Sequence, residues 1–60
     1  MKERAKILLV EDEDLSRDSL TRLLKMSAFH VKGAASGKMG LSLLAHEEFD
    51  IVITDLLLPD

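Results

Sequence analysis

Sixty residues, eight of them basic and eleven acidic, carry a formal charge of −3 with a pI near 5.2. A chain of this size buries only about 60% of the surface its unfolded form exposes, so it holds at most one small domain of marginal stability. The acid excess, two aromatics (Phe29 and Phe49) and no basic cluster beyond Lys2, Arg4 and Lys6 argue against direct nucleic-acid binding, and the lack of cysteine removes disulfides and thiolate metal sites.

No apolar run approaches the roughly 18 residues that suggest a membrane span. Met1 to Lys6 leads straight into a short strand with no secretory segment, so the chain reads as soluble, and its lack of cysteine suits a reducing cytoplasm. Ordinary apolar content with concentrated aliphatics argues against disorder.

Lys6-Ile7-Leu8-Leu9-Val10 is a continuous apolar run followed by Glu11-Asp12-Glu13-Asp14, which predicts a buried strand emptying into an acidic loop. Asp14 or Ser16 is placed to cap the next helix. From Leu15 to Met26, Leu20, Leu23 and Leu24 recur at helical spacing with Ser16 and Ser27 on their face, while Arg17, Asp18, Thr21, Arg22 and Lys25 lie away from it. Phe29, Val31 and Gly33 alternate with His30 and Lys32, predicting a short, half-polar edge strand. Ser36 then precedes a second helix through about His46, with Met39, Gly40, Leu43 and Leu44 on one face. Gly40 either lets helix and sheet approach closely or is merely tolerated. Ile51-Val52-Ile53-Thr54-Asp55 is a third strand, of a composition that suits burial on both faces; it ends on a carboxylate, and Pro59 shapes the loop beyond.

The order β-α-β-α-β with right-handed crossovers and a central first strand gives a parallel sheet in the order 2-1-3, with one helix on each face. Strands one and three are then neighbours, and the crevice between their carboxyl ends is the switch point where such folds bind ligands. Glu11, Asp12 and Asp55 converge there. Two unit charges about 4 Å apart cost on the order of 4 kcal/mol at an effective dielectric near 20, and a hard cation with oxygen ligands is the usual compensation. Mg²⁺ beside a strand-end aspartate suits phosphoryl transfer to a carboxylate, which makes Asp55 the nucleophile candidate. The plainer readings are that the acidic pair forms a helix-capping turn and that Asp55 only ends a strand. Glu13, Asp14, Asp18, Glu47 and Glu48 read as solvated charges, and His30 and His46, on separate elements, do not suggest a metal site.

Ile7-Leu8-Leu9-Val10-Glu11-Asp12-Glu13, then Ala35-Ser36-Gly37, Phe49-Asp50-Ile51-Val52, Thr54-Asp55 and Pro59, together resemble the amino-terminal half of a response-regulator receiver domain across all of residues 1–60. The resemblance implies the first three strands and first two helices of a flavodoxin-like doubly wound α/β sheet. It implies Asp55 as phosphoacceptor, Asp12 as a direct Mg²⁺ ligand, Glu11 acting through metal-bound water and the Leu57 carbonyl completing the site. A sensor histidine kinase would supply the phosphoryl group and an output domain beyond residue 60 would respond, so the chain is an acceptor rather than a conventional enzyme. Glu11 stands where the family more often has Asp.

A receiver domain continues for two more strands and three helices, bringing a Ser or Thr and a Lys that hold the phosphoryl oxygens, and neither follows within these 60 residues. Thr54 cannot substitute, because it points to the opposite side of the strand from Asp55. Phosphorylation of this chain alone is therefore expected to be weak or absent, and the exposed edge of the third strand is expected to support a homodimer. The alternative is a structural or assembly half-fold that homodimerises without signalling.

Overall fold

The computed structural model describes residues 4–54; Asp55, Leu57 and Pro59, on which part of the expected site falls, lie outside the described residues. The elements are β1 (Lys6–Val10), α1 (Asp14–Met26), β2 (His30–Ala34), α2 (Gly37–Leu44) and β3 (Ile51–Thr54). The strands form one parallel sheet in the order β2-β1-β3, as the crossover argument requires.

Paired on both edges and covered on both faces, β1 is the core. Ile7, Leu8, Leu9 and Val10 are buried, together with Ala34 of β2. Side chains alternate across the sheet, so Leu8 and Val10 join Ala34 on the α2 side, where Leu43 and Phe49 pack against them. Ile7 and Leu9 face α1 with their register partners Val31 and Gly33. The two helices thus occupy opposite faces.

The third strand departs from expectation. Its composition suits burial, yet Ile51, Val52 and Ile53 are 42%, 47% and 39% exposed. Among the described residues β3 has a neighbour on one edge only, and its faces have no helix of their own.

Helix α1 is rotated relative to the predicted face. Ser16, Arg17, Thr21 and Leu24 are the half-buried residues, whereas Leu23 is 59% exposed and Leu20 lies at the margin. Helical spacing puts Leu20, Leu23 and Leu24 on one inward face, but Leu23 falls with Leu15 and Met26 on a second apolar stripe that nothing among the described residues covers. Neither Asp14 nor Ser16 caps the helix: Glu13 occupies the N-cap without a side-chain cap bond, its carbonyl accepting from Arg17 N–H at 2.9 Å. Asp14 instead opens the first turn, and the Ser16 hydroxyl donates to the Glu13 carboxylate. The helix ends with Ala28 at a positive φ of 70° and Phe29 N–H donating to the Leu24 carbonyl at 3.2 Å, a left-handed stop usually given to glycine.

Helix α2 begins as read, with the Ser36 hydroxyl accepting from Met39 N–H at 3.1 Å, but it ends at Leu44 rather than near His46. Gly40 and Leu43 face the sheet; Met39 and Leu44 are more exposed than expected. Close approach explains Gly40, because a Cβ there would lie 2.9 Å from Val10 Cγ2. Val10 is buried and β-branched, so it has little room to turn away. Gly40→Ala gains about 1 kcal/mol of helix propensity but overpacks the core at a cost of about 1–3 kcal/mol. Urea denaturation is expected to show a net loss of roughly 1 kcal/mol, and Gly40→Ala with Val10→Ala should cost less than the two single changes added together.

At the amino-terminal end of the sheet, Glu47 joins β1 to β2, with Lys6 Nζ at 2.7 Å from one carboxylate oxygen and Lys32 Nζ at 2.9 Å from the other. The Lys6 bond, then the Lys32 bond, holds the Glu47 carboxyl below its ordinary pKa. A depressed folded-state pKa contributes stability above the unfolded value and loses it as pH falls through the folded value. The stability gap between the natural chain and Glu47→Gln is therefore expected to be widest near neutrality, to close under acid, and to shrink with added salt.

Candidate functional site

At the carboxyl end of β1 the pairing runs one residue past the strand, since Glu11 N–H donates to the Ala34 carbonyl at 3.0 Å. The chain then turns. Glu11 Oε2 accepts from Glu13 N–H at 3.1 Å, and Arg17 Nη1 donates to the Glu11 carbonyl at 3.0 Å. Arg17 Nη2 also reaches Asp14 Oδ1 at 2.5 Å. Asp12, between these tied residues, is exposed, and its carboxylate has no bonding partner among the described residues.

On the other side of the site the β1–β3 register is pinned at its start. Asp50 N–H donates to the Lys6 carbonyl, and Lys6 N–H donates to Asp50 Oδ2, both at 2.8 Å. From Ile7↔Ile51 the register continues to Val10↔Thr54, so these two residues stand level. Thr54 shares the α2 side with Val10.

Of the predicted site residues, Glu11 and Asp12 thus stand at the end of β1, immediately past the level of the Val10↔Thr54 pair. Asp55 and Leu57 lie outside the described residues. Among the described residues, no three acidic or imidazole side chains gather closely enough to hold a metal. The donor chemistry nevertheless suits a hard cation: two carboxylates, no sulfur, and an unengaged Asp12 directed by a loop whose other members are tied down. Glu11 turns back onto Glu13 N–H, which closes the loop ahead of α1 without bonding the N–H groups of its first turn. A shallow depression lined by Lys6, Lys25, Phe29 and His30 lies at the opposite end of the strands, where Glu47 already engages Lys6 and Lys32.

Sequence reasoning missed Arg17, which it placed on the solvent side. Its side chain is only 22% exposed, and its stem crosses Gly33, where a Cβ would meet Arg17 Cδ at 3.2 Å. A glycine inside an edge strand was the available signal, because such a position often marks close approach by another group.

Comparison with known proteins agrees with this geometry. The response regulator receiver domain family matches residues 7–60. A probable transcriptional regulatory protein of Picosynechococcus is 38% identical over 95% of this chain and 26% of its own length. A cyclic di-GMP phosphodiesterase of Thermotoga maritima is 36% identical over 88% of this chain and 14% of its own. The chain therefore spans about a quarter or less of these relatives. The chemotaxis response regulator CheY4 of Vibrio cholerae superposes with a TM-score of 0.89 at 30% identity, over 93% of this chain and 47% of that one. No helix among the described residues is long and apolar enough to cross a membrane. With the parallel 2-1-3 sheet, the acidic loop after β1 and the family match running from Ile7 to Asp60, the chain belongs to the response regulator receiver domain family.

Proposed function

We propose that residues 1–60 form the amino-terminal part of a phosphoacceptor module, with Asp55 as acceptor, Asp12 as a direct Mg²⁺ ligand, Glu11 acting through metal-bound water and the Leu57 carbonyl as a further ligand. The observation carrying this reading is the β1–β3 register: it reaches Val10↔Thr54 at one level, and the next residues in the sequence are Glu11 and Asp55. When bound, Mg²⁺ neutralises phosphoryl oxygens and helps align the group for in-line transfer. An Asp55 carboxylate oxygen attacks phosphorus and forms an acyl phosphate O–P bond. The P–N bond to the phosphorylated histidine of a sensor kinase breaks, and its electron pair stays with the imidazole nitrogen. An output domain reads the change.

In the 60-residue chain by itself the Ser or Thr and the Lys of a full receiver domain are absent, and one lost donor is worth roughly 3 kcal/mol in stabilising transferred charge. Incubation with Mg²⁺ and a small acyl phosphate, followed by intact mass, is expected to show at most a slow, substoichiometric, hydroxylamine-labile adduct that Asp55→Asn abolishes. An adduct that survives Asp55→Asn contradicts the assignment, and rapid stoichiometric reaction contradicts the importance of the absent groups.

The exposed β3 favours a second reading, in which this chain in isolation is an assembly unit pairing third strand to third strand. Ile51, Val52 and Ile53 present apolar side chains along an edge unpaired among the described residues. Sedimentation is expected to show a concentration-dependent dimer, which a lysine at Val52 (Val52→Lys) disrupts; a monomer mass at all concentrations contradicts it.

A further inference from the structure

We propose that Arg17 is a positioning residue for the acidic loop, holding the peptide between Glu11 and Asp12 so that the Asp12 carboxylate meets a divalent cation from a fixed direction. The proposal rests on the metal-site reading above and names the device that shapes the site. Arg17 is tied at three places along its length. Its stem lies over Gly33 of β2, 3.2 Å at Cδ and 3.4 Å at Cγ from where a Cβ would stand. Among the described residues no glycine has a positive φ, so Gly33 answers no backbone need and instead leaves room for the Arg17 stem. One end of the guanidinium donates to the Glu11 carbonyl at 3.0 Å and the other to Asp14 at 2.5 Å.

The bond to the carbonyl is the informative one. The Glu11 carbonyl and the Asp12 N–H belong to one planar unit, so fixing the oxygen fixes the plane from which Asp12 departs. Ala34 holds the preceding N–H and Glu13 N–H holds the Glu11 carboxylate, leaving Asp12 as the loop's one uncommitted acidic side chain among Glu11, Asp12 and Glu13. The Asp14 pair alone would not carry this role, because an exposed pair one turn apart contributes little. Planar donors on a partly buried stem suit two simultaneous acceptors, which the flexible ammonium of lysine does not reproduce.

The sign of the metal response separates positioning from charge. If Arg17 acted only as a nearby cation, Arg17→Lys would leave Mg²⁺ affinity unchanged and Arg17→Gln would tighten it. Positioning predicts that both weaken it roughly tenfold, the lower end of what outer-shell partners contribute to metal sites. Mg²⁺ titration read on the Glu11, Asp12 and Glu13 amide NMR signals measures this; unchanged affinity in Arg17→Lys or tighter binding in Arg17→Gln overturns the proposal. A second arm needs neither metal nor mutation. NMR of the guanidinium groups is expected to show hindered rotation at Arg17 and free rotation at exposed Arg22, and equal averaging at both overturns the proposal. Absence of saturable Mg²⁺ binding by the unmutated chain would defeat the phosphoacceptor reading, while guanidinium rotation still decides whether Arg17 holds the loop.

Discussion

Leu8→Ala is expected to unfold much of the chain under conditions where the natural sequence is folded. Leu8 is fully buried on the central strand, packed with Val10 and Ala34 beneath Leu43 and Phe49. Removing its side chain costs about 2–5 kcal/mol, including the cavity left behind. A chain of 60 residues has on the order of 3–9 kcal/mol of total stability, so one such loss consumes much of it. Collapse of α2 into the gap is limited because Gly40 already places the helix against Val10. Leu23→Ala provides the contrast: the leucine is 59% exposed, and its loss should change stability by no more than about 0.5 kcal/mol. Urea denaturation followed by far-UV circular dichroism measures both. Similar midpoints for the two variants would refute the placement of the core.

Asp12→Asn is expected to have opposite effects on stability with and without Mg²⁺. In the proposed site, removing one of the three charges without the ion relieves repulsion, by about 1 kcal/mol for an exposed pair roughly 4 Å apart in water-like surroundings. With Mg²⁺ at a hundred times its dissociation constant, the natural chain gains about 2.7 kcal/mol. Loss of the proposed direct ligand should weaken binding at least the roughly 10–100-fold associated with outer-shell partners. The variant then gains only about 0.4–1.4 kcal/mol at the same Mg²⁺ concentration. The melting curves should therefore exchange order when Mg²⁺ is added, and Asp55→Asn should behave alike. A variant less stable than the natural chain without the ion would mean that the carboxylates do not crowd one another.

Strand order, helix placement and the acidic loop were legible because each follows from strong local patterns. Ile7 to Val10 forms a continuous apolar run, Ser36 supplies a helix cap, and the connections prescribe the crossovers. The packed face of α1 was not legible, since Leu15, Leu23 and Met26 compete with Leu20 and Leu24 as apolar markers and only tertiary packing chooses between them. Arg17 escaped for a related reason: a long charged side chain can bury its stem while its end remains polar, so its residue type alone suggests solvent. The exposure of β3 shows the converse, because Ile51, Val52 and Ile53 have the composition of a buried strand while burial depends on neighbours that composition does not specify.

In the proposed site the acidic loop and the residues after β3 serve one cation. Paramagnetic Mn²⁺ substituted for Mg²⁺ tests it most directly, because relaxation broadens NMR signals close to the ion. At low occupancy, the amide signals of Glu11 to Glu13 and of Thr54 to Leu57 are expected to broaden together and recover together when excess Mg²⁺ is added. Broadening of the Glu11 to Glu13 signals with those from Thr54 to Leu57 unaffected would contradict the account.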